Sequence, residues 1–181
     1  EDTAFTNILY KNNAIWALGE NDNRPFMAKY DTSGALDVSF NGSGYYADDD
    51  SLTSIGIEGS IQLSDGSLIT HHQYLWENYL YKFTADGELD TSFGSAGVQS
   101  IGAGGLSNTY SISDIKVLSD DSLIVLVDPT SDPAFIAKID ANGVFDTNFG
   151  IEGYLELSDT LFNSSVKLAI DEHESVYAIG K

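Results

Sequence analysis

The chain has 181 residues and a mass of 19.5 kDa, with 28 acidic and 8 basic side chains, a net charge of -20 and no cysteine. The lack of cysteine excludes a disulfide scaffold, a zinc ribbon, an iron–sulfur protein and a thiol enzyme. Because so acidic a chain is repelled by phosphates and anionic lipids, we expect no nucleic-acid partner and no membrane partner.

The first residues, Glu1-Asp2-Thr3, lack the basic and apolar regions of a secretory signal, so we expect any signal peptide to have been removed already. No apolar run approaches the roughly 18 residues that a membrane-spanning helix needs. Hydrophobic residues make up 42% of the chain, which is too rich for a disordered acidic tail. These features predict a folded domain.

Two sequence units alternate along the chain. The unit that comes first recurs four times, at Asn7–Gly19, Ser60–Thr70, Asp114–Leu126 and Val166–Gly180. The other unit aligns without gaps at Phe26–Gly44, Tyr79–Gly97 and Phe135–Gly153, with spacings of 53 and 56 residues. We therefore expect a single repeat array over residues 1–181, with repeats near 5–50, 51–105 and 106–160 and a half repeat at 161–181.

Each unit has the pattern of a β-hairpin. Runs of Val, Ile, Leu, Tyr and Phe flank Asp-Gly, Asn-Gly, Ser-Gly or Asn-Asn, and these pairs tolerate the positive φ of tight turns. One full repeat predicts four strands, at Ser60–Leu63, Ser67–His72, Tyr79–Thr84 and Gly97–Ile101. The predicted fold is all-β, with antiparallel four-stranded propeller-type blades, about 3.5 repeats and about fourteen strands.

The number of repeats predicts an incomplete ring. Propellers typically close with 4–8 blades, so about 3.5 repeats would leave sheet edges exposed to another chain. The chain is then either part of a longer propeller, which we favour, or it associates with another copy of itself, since two copies would supply seven blades.

The best-preserved copy runs through Asp65–Ile69, Tyr79–Phe83 and Asp86–Gly97. Its pattern of Asp-Gly-Ser-Leu-Ile, aromatic-x-x-Lys-aromatic and Asp-Gly-x-Leu-Asp-Thr-Ser-Phe-Gly-x-x-Gly resembles the bacterial delta-sixty repeat. The resemblance implies a β-propeller module of a secreted or surface-attached bacterial protein, and it carries no catalytic residue set. The first copy departs from the pattern at Asn12-Asn13, and the last copy, at residues 171–174, is expected to hold one extra turn residue.

Repeated aspartates offer oxygen ligands but are expected to be structural. Asp140 and Asp146 have a spacing loosely like that of a calcium loop, without its remaining ligands. Asp48-Asp49-Asp50 could also collect Ca²⁺, although such runs are more often solvated loops. We expect the repeated aspartates to hold turns, with no cofactor and with Ca²⁺ as the alternative.

The stretch His71–Tyr79 is the most unusual in composition and is predicted to be a loop between the two middle strands of its repeat. Its candidate ligand-binding residues combine stacking rings with polar partners: His72, Tyr74, Trp76, Glu77 and Tyr79. The competing interpretation is that these aromatic side chains pack within the sheet.

Three functions remain open. The first is a non-enzymatic module that binds protein or glycan in a secreted or surface bacterial protein. The second is an enzyme acting on polysaccharide, a hydrolase or a lyase, with carboxylates near the propeller axis. The third is a structural spacer. No nucleophile elbow, metalloprotease motif or phosphate-binding loop is present in the sequence, so an enzyme is the less favoured class.

Overall fold

A computed structural model describes the fold of the protein. The described residues are 3–22, 24–47, 55–74, 77–102, 110–129, 133–157 and 167–180. They form fourteen strands and a short 3₁₀ helix at Phe40–Gly42. Across these ranges no helix has the length and apolar character needed to cross a membrane.

The strands form three four-stranded sheets and one two-stranded sheet, and neighbouring strands run antiparallel wherever the described residues define their register. The first sheet contains β1 (Thr3–Lys11), β2 (Ala14–Asn21), β3 (Arg24–Asp31) and β4 (Tyr45–Ala47). The second contains β5 (Ile55–Gln62), β6 (Leu68–Tyr74), β7 (Glu77–Phe83) and β8 (Val98–Ile101). The third contains β9 (Tyr110–Val117), β10 (Leu123–Pro129), β11 (Phe135–Ile139) and β12 (Tyr154–Glu156), and the two-stranded sheet contains β13 (Lys167–Ile170) and β14 (Val176–Ile179). The all-β fold with four-stranded, propeller-type blades is confirmed.

Strand β5 begins earlier than the sequence predicts. The predicted strand starts at Ser60, whereas β5 starts at Ile55. The register shifts between Ile55 and Gly59, and Gly56 has a φ of +52°. An irregularity of this kind hides the alternation of apolar residues from which strands are read.

The first hairpin closes through Asn12 and Asn13. Lys11 pairs directly with Ala14, and both asparagines have positive φ, at 53° and 58°. Positive φ at both central positions defines the two-residue turn whose twist matches that of antiparallel strands. The hairpin therefore forms with Asn-Asn in place of Asp-Gly, through a two-residue turn.

The prediction of an extra residue in the last turn is wrong. Glu174 donates its backbone N–H to Asp171 O, and Asp171 donates its own to Ser175 O. The second sheet makes the same pair of bonds, from Gly66 to Leu63 and from Leu63 to Ser67. The two turns have equal length, because Glu174 adopts the positive φ that glycine supplies in the other copy.

The chain divides into two compact units, Glu1–Leu75 with Tyr79–Val98, and Trp76–Asn78 with Gln99–Lys181. In the first unit, the first sheet contributes Trp16, Leu18, Met27 and Phe40 to a core that also holds side chains of the second sheet: Ile57, Leu68, Tyr81 and Phe83. Asn41 donates its backbone N–H to Asp86 O at 2.6 Å, which ties the loop of one sheet to a turn of the other.

In the second unit, an apolar core lies between the third sheet and the two-stranded sheet. The third sheet contributes Ile124, Leu126 and Ile136, and the two-stranded sheet contributes Leu168. Partly buried hydrophobic side chains pack around this core: Leu118, Phe149, Leu157, Ile170, Val176 and Ala178. Within each unit, the two sheets therefore pack face to face.

Candidate functional site

The stretch predicted to be a loop is mostly strand. Strand β6 continues through Tyr74 and β7 begins at Glu77. His72 and Tyr74 therefore end one strand, while Glu77 and Tyr79 begin the next. Trp76 lies outside the described residues. The prediction of a long loop is wrong because aromatic residues, which favour strands, extend both strands into this stretch at Tyr74 and Tyr79.

His72 is completely buried. Its imidazole lies 4.5 Å from the Tyr81 ring, at an angle of 66°, and its Nε2 lies 2.7 Å from Thr70 Oγ1. Burial is the main cause that lowers the pKa of His72 to about 3, and the charge of the neighbouring His71 is the second. A backbone hydrogen bond with Gly56 acts in the opposite direction. The ring is therefore neutral at physiological pH and belongs to the interior of the sheet.

The other candidate residues are distributed between surface and interior. Tyr74 is half-buried and Glu77 is exposed. Tyr79 is partly buried against the core of the first unit, with its ring 6.5 Å from that of Tyr81. Among these described residues, Glu77 is exposed, and Tyr74 and Tyr79 are each partly exposed.

The buried histidine makes stability sensitive to acid. An unfolded histidine takes up a proton near pH 6.5, whereas folded His72 takes it up near pH 3, so stability is lost as pH falls through this window. Between pH 6 and 4 we expect His72 to cost about 1.4 kcal/mol of unfolding free energy per pH unit. Urea titrations of wild type and His72→Gln should show a steeper acid loss in wild type. Parallel pH curves would contradict this assignment.

Each four-stranded sheet contains the same aspartate–lysine pair. The Lys Nζ to Asp Oδ2 distances are 3.0 Å for Lys29–Asp37, 3.2 Å for Lys82–Asp90 and 3.1 Å for Lys138–Asp146. The backbone N–H of each aspartate donates to the carbonyl of the paired lysine, and its carbonyl accepts from the aromatic residue three positions later. The repeated pair therefore holds the loop that places the aromatic side chain.

Hydrogen bonds keep these carboxylates ionised. The Ser39 hydroxyl and then Lys29 lower the pKa of Asp37. The Ser92 hydroxyl lowers the pKa of Asp90, and Lys138 lowers that of Asp146. In the aligned units these lysines share one position and these aspartates share another, but the sequence did not predict that the two side chains pair. Their constant spacing in three copies was the available signal.

Replacing Asp90 with asparagine should destabilise the protein near neutral pH. The side chain accepts from Ser92 N, at 3.1 Å, and from Ser92 Oγ, and it pairs with Lys82. We expect a loss of about 1–2 kcal/mol, typical of a hydrogen-bonded charge that is partly exposed. Because the folded pKa of Asp90 is lowered, its contribution is present above the unfolded pKa and disappears as pH falls through the folded value.

Urea unfolding of Asp90→Asn and wild type at pH 7 and at pH 3 would measure this effect. The difference between the two proteins should narrow at pH 3. Asp86→Asn, an exposed carboxylate in the same loop, is the matched control and should change stability little. An Asp90→Asn variant as stable as wild type at pH 7 would contradict a structural role for the pair.

The turn aspartates at 31 and 140 have the structural role that their position predicts. Asp31 Oδ1 accepts from Ser33 N at 2.8 Å and from Ala35 N at 3.0 Å. Asp140 Oδ1 accepts from Asn142 N at 2.9 Å and from Val144 N at 2.8 Å. Asp48-Asp49-Asp50 lie outside the described residues. In the part of the chain that is described, no three His, Asp or Glu side chains are grouped so that they could hold a metal ion.

A cavity of about 200 Å³ lies in the second unit between the turns of the third sheet. Its lining includes Asp120, Lys138, Asp140 and Asp146. Asp120 accepts from Ser122, and the other charged groups form the contacts already described. Every described carboxyl group whose pKa departs from its usual value is shifted downward. A carboxylic acid that donates a proton in glycoside cleavage needs the opposite shift.

Residues 63–93 match a family model described as "Domain of unknown function (DUF5122) beta-propeller". The match covers β6, β7 and the loop that ends at the buried Phe93. A search of curated proteins found no match to the chain. The chain is therefore a β-propeller-type repeat protein, and its match to that family model lies in the second sheet.

Proposed function

We propose that the chain is a non-enzymatic module that binds a protein or a glycan. This proposal rests on one observation, which is that the repeated carboxylates hold the loops of the sheets. Asp37, Asp90 and Asp146 are held by lysine and by loop hydrogen bonds in all three four-stranded sheets, and these interactions keep them ionised. Such groups build the scaffold, and a scaffold with varied connecting segments suits recognition.

We place the binding surface at the end of the β6–β7 hairpin. Tyr74 offers a half-exposed ring and Glu77 an exposed carboxylate, with Trp76 between them in sequence. Aromatic rings next to polar groups suit both sugar stacking and contacts with protein. In this proposal, the buried His72 and the partly buried Tyr79 stiffen the two strands and do not touch the ligand.

The repeats resemble the bacterial delta-sixty repeat, and we propose that the chain serves in a secreted or cell-surface bacterial protein. The sequence motif of the second repeat supports this assignment. The net charge of the chain, -20, favours a partner other than nucleic acid or an anionic membrane.

Glycan arrays and a screen against candidate surface proteins would test the binding function. We expect Trp76→Ala and Tyr74→Ala each to weaken binding at least tenfold, a loss of about 1.4 kcal/mol. Glu77→Gln should weaken it less, and Glu88→Gln, an exposed glutamate elsewhere in the second sheet, is the matched control. Unchanged binding in both aromatic variants would overturn the proposed location, and turnover of a polysaccharide by wild type would overturn the non-enzymatic assignment.

A further inference from the structure

Within each unit, one face of the earlier sheet packs on the sheet that follows it in the repeat order. We call that face, and the matching face of every other sheet, the trailing face, and we call the opposite face the leading face. On the trailing face of the first sheet, Trp16 and Leu18 are 1% and 0% exposed, and they share a core with Leu68 and Phe83 on the leading face of the second sheet. Ile124 and Leu126 of the third sheet pack against the two-stranded sheet.

The leading face of the first sheet is exposed at positions that are covered in the two-stranded sheet. Next to the hairpin turns, Ile8 and Tyr10 pair with β2 as Leu168 and Ile170 pair with β14. Leu168 is 5% exposed and Ile170 packs against the core of the second unit. Ile8 and Tyr10, by contrast, are 73% and 64% exposed.

Aromatic side chains extend this exposed surface. Phe26 lies 5.9 Å from Phe5 and is stacked on Tyr45 at 5.7 Å between ring centroids. Phe5 is 50% exposed and Tyr45 is 44% exposed. Together Phe5, Ile8, Tyr10 and Tyr45 form the leading-face patch. A contiguous apolar patch of this kind marks an interaction surface, unlike single exposed hydrophobic residues.

The same chain carries the complementary surface on β14. Val176 is the first residue of β14, and in the pairing with the preceding strand it corresponds to Ile15 in the first sheet. Tyr177 and Ile179 therefore occupy the positions of Trp16 and Leu18, the side chains that pack on a following sheet. They are 50% and 60% exposed.

We propose that the leading-face patch of one molecule docks against the Tyr177–Ile179 face of a second copy. The two cores within the chain contain the same kind of contact, because in both of them residues at the positions of Tyr177 and Ile179 cover a leading face. The contact is head to tail, since the two surfaces differ. A net charge of -20 on each copy opposes association, so added salt should strengthen it.

Light scattering on the full chain at 0.5 M NaCl tests the proposal. We expect a mass above the 19.5 kDa of the monomer, with a dissociation constant for the contact at least tenfold higher at low salt. Ile8→Asp/Tyr10→Asp and Tyr177→Ser/Ile179→Asp should each give a monomer mass. A wild type that stays monomeric over the full concentration range would overturn the proposal and leave the patch to a different partner.

Mixing the two double variants separates this contact from a symmetric one. Each variant keeps one intact surface, so a head-to-tail contact restores a dimer in the mixture. A symmetric contact through the leading-face patch would leave Tyr177→Ser/Ile179→Asp dimeric on its own, which would overturn the head-to-tail assignment. Val144→Asp/Ile151→Asp, at residues that are 60% and 81% exposed in the third sheet, is the control and should keep the wild-type mass.

Discussion

Replacing Phe40 with alanine is expected to lower the free energy of unfolding by about 3–5 kcal/mol. The ring is fully buried and meets Trp16 edge to face, at 5.0 Å and 89°. It also lies against Gly87 of the second sheet, where an added Cβ would come within 2.5 Å of a ring carbon. The change therefore removes contacts within the first sheet and between two sheets.

Urea unfolding of Phe40→Ala and of Val38→Ala would measure the effect. Val38 lies in the same loop and is 64% exposed, so its truncation should cost less than about 0.5 kcal/mol. If Phe40→Ala lowered the free energy of unfolding as little as Val38→Ala, the Phe40 ring would not be an anchor of the core. The same result would weaken the structural role assigned to the neighbouring Lys29–Asp37 pair.

Replacing Gly19 with alanine should cost about 1–3 kcal/mol, the range for overpacking a well-packed site. The new Cβ would lie 2.0 Å from the backbone oxygen of Ala4 and 2.8 Å from Phe5 Cα. Backbone atoms cannot move aside as a flexible side chain can, so β1 would have to shift. The register irregularity between Phe5 and Asn7 lies beside this site and would be distorted by that shift.

Gly59→Ala is the matched control in strand β5. Apart from its chain neighbours, no atom of the described residues lies within 4 Å of the Cβ that alanine would add. We expect a neutral or slightly stabilising change, because alanine reduces the conformational entropy of the unfolded chain. Thermal unfolding of the two variants would compare them directly. Equal stability would show that β1 does not pack on Gly19 as described.

The repeat pattern predicted the hairpins because short-range rules govern them. Alternating apolar residues and turn residues with positive φ act within a few positions of each other. Asn12-Asn13 and Glu174 show that different residues reach the same hairpin through the same backbone conformation. Where a strand is irregular, as at Gly56, the pattern failed and the predicted boundary was late.

The candidate site was less predictable because burial is a property of the packed sheets. His72 and Tyr79 have residue types suited to a binding loop, yet His72 packs against Tyr81 and Tyr79 lies against a core. The need for glycine at position 19 was also not predictable from the repeat. Gly19 pairs with Phe26 as Val127 pairs with Phe135, so the two residues occupy matching positions in their sheets. The repeat alignment does not show that the backbone of Ala4 approaches Gly19.

The all-β repeat, its turns and its repeated aspartates follow from the sequence, because they depend on local backbone preferences repeated along the chain. Which faces of the sheets are covered depends on tertiary packing. Trp16 and Tyr177 occupy matching positions, but one is buried under a neighbouring sheet and the other is half exposed. Solvent exposure depends on which sheet packs against a face, and that information is not contained in the repeat itself.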